Sequence, residues 1–197
     1  MYITFEGLEG VGKSFFLRKL KNNPKFEVIL DDECDGEALK IINSLKNNDI
    51  FFRSNKPMIE FEAFSKVDSI IHQEKVAPSI KNNKIVLQDR GADTTCLYTA
   101  VQLKGDLITN FKKLWEKRKL LGNVPDKTIL LTDSFESCIK RAEERNQKKY
   151  STEEKLFLKK LDQGFKDIAK AFPERIKIIQ INNNTLKNIN QEVLLNL

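Results

Sequence analysis

The chain has a single histidine, His72, and three cysteines, Cys34, Cys96 and Cys138, spread over 197 residues without a Cys-x-x-Cys pair. A histidine metal site, a histidine-based triad and a zinc ribbon therefore have nothing to be built from, and the thiols are expected to be reduced packing residues. His72 is expected to be an ordinary helix residue. No apolar run approaches the roughly 20 residues that cross a bilayer, which excludes membrane spanning. The first residues lack the basic-then-apolar order of a signal peptide, so a cytoplasmic location is expected. There is no composition break, internal repeat or disordered tail, and residues 1–197 are expected to form one domain around one core. The net charge is +6, but Lys19, Lys21, Lys46, Lys112, Lys113, Lys159 and Lys160 are scattered rather than gathered into an arm. That pattern speaks against nucleic acid and leaves small polyanions as partners.

What is present begins at Gly7. Residues 7–14 read GLEGVGKS, a G-x-x-x-x-G-K-S phosphate loop placed between the apolar run Tyr2 to Phe5 and a helical stretch from Ser14 to Lys21. A strand that turns through glycines into a helix aims backbone N–H groups and a positive helix end at one point, which suits a polyphosphate. The loop residues Gly7, Glu9, Gly10, Val11, Gly12, Lys13, Ser14 and Phe15 are the candidate ATP-binding set. Lys13 would reach the β- and γ-phosphates, and the Ser14 hydroxyl would ligate Mg²⁺.

Strands are expected at Tyr2 to Phe5, Phe26 to Leu30, Lys84 to Gln88, Thr128 to Thr132 and Ile176 to Ile181. Helical spacing covers Glu37 to Lys46, Pro57 to Lys81, Asp93 to Lys104, Asp106 to Leu120, Phe135 to Arg145 and Thr152 to Phe172, with Asp93 and Thr152 as candidate caps. Asparagine clusters at Asn22, Asn47-Asn48, Asn82 and Asn182 to Asn184 mark loops. Strands alternating with helices, several of them continuously apolar, predict an α/β fold: a three-layer sandwich of the P-loop NTPase type, with a five-stranded parallel sheet and helices on both faces. Such sheets bind ligands at the carboxyl ends of their strands. There the sequence places Gly7, Asp31-Asp32, Asp89-Arg90 and Asp133.

Two further motifs narrow the chemistry. In QDRGADTTCLY, residues 88–98, a buried strand delivers Asp89, suited to Mg²⁺ or its bound water, and Arg90, suited to clamping an acceptor phosphate. In Lys140 to Asn146, Arg141 and Arg145 share one helix face beside a polar run, a lid segment of about 141–152 able to close over phosphates. FEGLEGVGKS, VAPSIKNNKIVLQDR, PDKTILLTDSFESCIKRAEERN and FLKKLDQGFKDIAKAFPERIKII together resemble the thymidylate kinase family over nearly the whole chain. The resemblance implies ATP and Mg²⁺ at Lys13 and Ser14, Glu9 near the acceptor sugar, Arg90 on the acceptor phosphate, Phe64 stacked on the base, and Thr95, Tyr98 and Thr99 along the pocket. Position 11 is Val, so the catalytic arginine would come from the lid.

The chain departs from the family pattern at several points. Asp32-Glu33-Cys34-Asp35-Gly36 replaces an Arg-Glu-Pro stretch and removes one acceptor-phosphate arginine. Gly91 replaces an aromatic, Phe15 a hydroxyl residue, and Thr99 a glutamine. Asp68 stands where an arginine reads the base. It accepts hydrogen bonds and cannot donate them, so it would repel thymine O4 and suit an amino group, or else turn to a salt bridge or to the thymine N3–H. The expected activity is a P-loop kinase transferring the γ-phosphate of ATP to a nucleoside monophosphate, dTMP by resemblance, with Lys13, Arg90, Arg141 and Arg145 catalytic. The alternatives are a deoxynucleoside kinase using Asp32, Glu33 or Asp89 as base, or a regulatory nucleotide-binding protein without turnover. The helix from Pro57 to Lys81 offers a face for a homodimer.

Overall fold

In the computed structural model, which describes residues 1–47 and 49–181, five strands form one parallel sheet in the order β2-β3-β1-β4-β5. They are β1 (Tyr2–Glu6), β2 (Phe26–Ile29), β3 (Ile85–Asp89), β4 (Lys127–Thr132) and β5 (Ile176–Gln180). The helices are α1 (Lys13–Leu20), α2 (Gly36–Lys46), α3 (Pro57–Ile71), α4 (Ala77–Lys81), α5 (Ala92–Ala100), α6 (Leu107–Leu120), α7 (Phe135–Asn146) and α8 (Thr152–Ala171). The turn expected at Asn48, the loop at 182–184 and the end of the chain lie outside the described residues.

Alternation along the strands feeds two apolar clusters, because successive side chains leave a strand on opposite faces. Tyr2, Ile29 and Val86 pack with Ala38, Ile42, Val67 and Ile71 of α2 and α3. Ile3, Phe5 and Leu87 pack with Phe16 and Leu17 of α1 and Leu158 and Leu161 of α8. A sheet covered on both faces explains why its strands are nearly continuous apolar runs. Tyr2 pairs with Val86 and Phe5 with Asp89, so β1 and β3 end side by side, while Phe5 also pairs with Ile129 and β4 runs on to Thr132. From β1 the chain leaves toward β2, and from β3 it leaves toward β4. The crevice between those two strand ends is the switch point where such sheets bind ligands.

Three expected features differ. The helix from Pro57 to Lys81 is interrupted by a π-helical turn, His72–Val76. Pro78 has no N–H for the Glu74 carbonyl and its ring crowds that carbonyl, so the ladder shifts and Ala77 N–H bonds to the His72 carbonyl instead. His72 thus sits in a distorted turn, its ring 6.1 Å from that of Tyr2. Ser151, not Thr152, caps α8, forming a reciprocal capping box with Glu154. Asp93 caps nothing and is fully buried.

The Asp93 carboxylate instead accepts from Arg175 Nη2 at 2.8 Å, Arg175 Nη1 at 3.0 Å and Thr128 Oγ1 at 2.7 Å. The Arg175 guanidinium lies 3.7 Å over the Trp115 ring. One ion pair thereby joins α5, α6, β4 and the segment entering β5. Removing one partner of a buried pair leaves the other charged and unsolvated. Asp93→Ala is expected to cost about 3–5 kcal/mol of stability, seen as a lower denaturant midpoint at unchanged slope; an unshifted midpoint would show the pair to be dispensable.

Candidate active site

The phosphate loop joins β1 to α1 through three positive-φ glycines, Gly7 (134°), Gly10 (78°) and Gly12 (105°). At Gly10 the constraint is also steric, since a Cβ would lie 2.1 Å from the Cys138 carbonyl oxygen of α7. Lys13 is buried with its ammonium donating to the carbonyls of Gly7 at 3.1 Å and Leu8 at 3.3 Å, folded back over the loop it serves. The first N–H groups of α1 lack intrahelical partners and share the positive helix end. Val11 sits in the core, and its N–H bonds to the Leu8 carbonyl at 3.3 Å. Its contribution to ligand binding is therefore the shape of the loop. Phe15 is exposed, with the Lys19 ammonium 4.4 Å over its ring.

Beside the loop, Ser14 Oγ donates to Asp89 Oδ2 at 2.5 Å, while Asp89 Oδ1 is buried without a partner among the described residues. Asp89 is thus engaged with the loop rather than with its neighbour Arg90. A serine hydroxyl beside a carboxylate with one unpartnered oxygen is a hard oxygen pair of the kind that holds Mg²⁺ together with phosphate oxygens and water.

Arg90 has a left-handed backbone, φ 67°, fixed by its N–H bond to the Phe5 carbonyl at 3.0 Å. A non-glycine residue in that region is strained, and such strain gathers at functional sites. The strain turns the mostly buried Arg90 side chain across the crevice. Its Nη1 lies 3.5 Å from Thr94 Oγ1 and its Nε 4.0 Å from Asp31 Oδ2. Thr94 in turn donates to Glu6. Gly91, where the resemblance expects an aromatic, faces the Thr4 methyl, which a Cβ would meet at 2.7 Å.

Arg90 opens onto a cavity of about 180 Å³ lined by Glu9, Asp31, Phe64, Asp68, Thr95 and Tyr98 among others. Phe64 meets Phe52 at right angles with centroids 4.7 Å apart, and Phe52 approaches Tyr98 at 6.5 Å. Phe52 holds φ 58° and belongs to no helix or strand, so neither pattern nor periodicity flagged it. Thr99 is not part of this wall: it is buried and its hydroxyl bonds back to the Thr95 carbonyl at 3.0 Å. That corrects its assignment to the substrate pocket. Asp32 and Glu33, candidate bases by sequence, pair with Arg18 and Lys21 on the surface. Of this stretch, Asp31 is the carboxylate that reaches the cavity. Asp68 has turned to a salt bridge with fully buried Arg118, Nη2 to Oδ2 2.8 Å. Arg118 carried no sequence signal because it comes from a different helix with no motif.

The lid arginines lie on α7 and touch the phosphate loop directly. Arg141 Nε donates to the Gly10 carbonyl at 2.7 Å and Nη2 to Asp133 at 2.6 Å. Arg145 pairs with Glu9, which also accepts from Asn146 at 3.0 Å and from Tyr150 OH at 3.0 Å. The expected lid of 141–152 is therefore the end of α7 plus the short link to α8, latched onto the loop through Glu9. Bonds from Asn146 and the charges of Arg90 and Arg145 outweigh burial and hold the Glu9 carboxyl below its usual range.

The thymidylate kinase family model matches residues 5–193. A thymidylate kinase of Mycoplasma capricolum is 29% identical over 206 residues, covering 98% of this chain and 92% of that protein. One from Acinetobacter baumannii (strain AYE) is 29% identical over 187 residues, 90% of each. The crystal structure of thymidylate kinase from Ehrlichia chaffeensis superposes with a TM-score of 0.66 at 21% identity, over 100% of this chain and 98% of that one. At that identity the superposition bears on the fold.

Burial, reinforced by Asp93, pushes the Glu6 carboxyl up to about 8, and burial brings Lys13 down to about 8. Glu6 is thus protonated in the folded chain at neutral pH and ionised in the unfolded chain above the ordinary carboxylate range. Its stabilising contribution is complete at acid pH and is lost as pH rises through about 8. Melting temperatures measured between pH 5 and 9 should fall with pH in the wild type and fall less in Glu6→Gln. Parallel profiles for the two proteins would refute a raised pKa at Glu6.

Proposed function

The chain belongs to the thymidylate kinase family, and on that premise we propose that its site transfers the γ-phosphate of ATP to dTMP. The observation that carries this reading is the juxtaposition at one crevice of the phosphate loop with Lys13, the Ser14–Asp89 pair and strained Arg90, opening onto a cavity lined by Phe64. The loop and α1 would take the donor phosphates. The aromatic cavity would take the acceptor nucleoside, with Arg90 between them.

The chemistry asks the protein for alignment and charge compensation. A phosphate monoester has a second pKa near about 6 and is already an anionic nucleophile at pH 7, so no side chain need remove a proton. Mg²⁺, held through Ser14 and Asp89, would offset charge on the donor oxygens. Lys13 would exchange its carbonyl partners for phosphate oxygens, whose negative charge favours the ammonium that burial disfavours. Arg90 would hold the acceptor phosphate. Glu9 and Asp31 face the same cavity, and Lys46 at its rim adds a cation where the Arg-Glu-Pro stretch is replaced. Arg145 would leave Glu9 for the transferring group, and Glu9 would become available to the acceptor sugar. Arg141, bonded to the loop itself, would set the position of α7.

ADP release with Mg²⁺-ATP across a panel of nucleosides and nucleoside monophosphates tests the reading. Turnover with dTMP is expected, and a preference for a nucleoside would overturn it. Lys13→Ala should keep the fold and lower kcat by about a thousandfold or more; near-native ADP release would remove Lys13 from the mechanism. Arg145→Ala should lower kcat more than it raises KM for ATP, because its present partner is Glu9 and its phosphate contact would form late. A change confined to KM would reassign Arg145 to ground-state binding.

A further inference from the structure

The buried acid Asp68 lies in the wall of the acceptor cavity, one helical turn beyond Phe64, with its side chain 12% exposed. Both of its recorded bonds fall on one oxygen. Arg118 Nη2 donates to Oδ2 at 2.8 Å and Thr95 Oγ1 donates to Oδ2 at 3.2 Å. Arg118 is fully buried, and its Nε and Nη1 have no partner among the described residues. Burial pushes the Asp68 carboxyl above its ordinary range, and the Arg118 charge opposes that push. Oδ2 takes both donors, which leaves Oδ1 as the acceptor for a ligand in the carboxylate form that Arg118 favours.

We infer that Asp68 reads the acceptor base through its N3–H, with Oδ1 as the acceptor and Arg118 as the positioning residue behind it. The inference rests on dTMP being the acceptor. A thymine attached to its sugar at N1 has one N–H left, at N3, and two carbonyls beside it. A carboxylate that binds its polar edge can only do so at N3, and facing O4 or O2 it would be repelled. A carbonyl beside N3–H needs a donor, and Gln88 offers one. Tyr2 OH donates to Gln88 Oε1 at 2.9 Å, which orients the amide so that its NH₂ is the group left for the cavity that Gln88 also lines. The Asp68–Arg118 pair thus matches thymine with the polarity reversed from that of an arginine at position 68. It also disfavours cytosine, whose N3 carries a lone pair in place of the N–H.

The test compares dTMP with its N3-methyl analogue, which keeps both carbonyls and loses the N3 proton, using the intact protein and Mg²⁺-ATP. The analogue should lose about tenfold or more in kcat/KM, mainly through KM. In Asp68→Ala, which removes the acceptor and leaves room for the methyl group, that penalty should shrink, and in Asp68→Asn dCMP should gain on dTMP by about tenfold, because an amide can donate to cytosine N3. Circular dichroism melts establish whether each variant folds; if neither does, the comparison on the wild type decides alone. Turnover of the analogue within about threefold of dTMP overturns the inference, as does an undiminished penalty in folded Asp68→Ala. Failure to turn over dTMP while another monophosphate is phosphorylated would refute the acceptor assignment together with this inference. Equal use of dTMP and its analogue refutes the inference and leaves the assignment intact.

Discussion

The pairing of β1 with β3 is the constraint from which the site follows. These adjacent parallel strands end in register, Phe5 opposite Asp89, and their chains depart on opposite sides. A gap is left at the strand ends that no helix can fill. The last rung of the ladder, from Arg90 N–H to the Phe5 carbonyl, forces Arg90 into a left-handed backbone. The local cost, of order 1–3 kcal/mol, is tolerated because two central strands over-determine the position. The same pairing brings Asp89 against Ser14 of α1. The Ser14–Asp89 contact and the placement of Arg90 beside the phosphate loop are therefore consequences of one register, and a slip of one residue would turn Asp89 and Arg90 each to the other face.

Around that gap, buried carboxylates are placed in unlike environments and acquire unlike properties. Glu6 is fully buried with an acid nearby, and it holds its proton although Thr94 donates to it. Asp93, on the next element, meets a bidentate guanidinium and a hydroxyl, and it serves as a tie between helices and strands. Asp68 has one guanidinium and one hydroxyl on a single oxygen, with a cavity beside it. The residue type does not set the role. The number of donors on each oxygen does, since a carboxylate with both oxygens satisfied is structural and one with an oxygen turned to a cavity is available to a ligand.

How much of this was legible follows from how far each interaction reaches along the chain. All five strands and the phosphate loop were visible because apolar runs, glycine spacing and strand-then-helix order are local. Asp89 and Arg90 were legible because they sit where a strand ends, and Ser14 because it closes the phosphate-loop motif at the start of α1. Ser151 was missed although Ser-x-x-Glu spells a capping box, because the following Thr152 competed for the cap. Pro78 was in plain view, but a single proline after a long apolar stretch does not say whether the ladder breaks or shifts to a π-turn. Arg118, Phe52 and Lys46 were not legible at all. Each reaches the site from a remote element, and only the packing of α6 against α5 and the loop before α3 brings the first two to the acceptor cavity.

Glu9 shows how a loop too small to hold many side chains can report on its ligand. Its carboxylate collects Arg145, Asn146 and Tyr150 from the end of α7 and the link to α8. Arg145 and Asn146 are exposed, so each of their bonds alone is weak, whereas Tyr150 is buried. Together they satisfy one partly buried carboxylate. An incoming polyphosphate changes the balance at both ends, since it offers Arg145 a higher charge and crowds anionic Glu9. On the proposed function Arg145 would then be drawn off and Glu9 set free beside the cavity that it also lines. Donor binding would in this way ready the acceptor side through a single exchanged ion pair, with Gly10 and Arg141 keeping α7 in place while it happens.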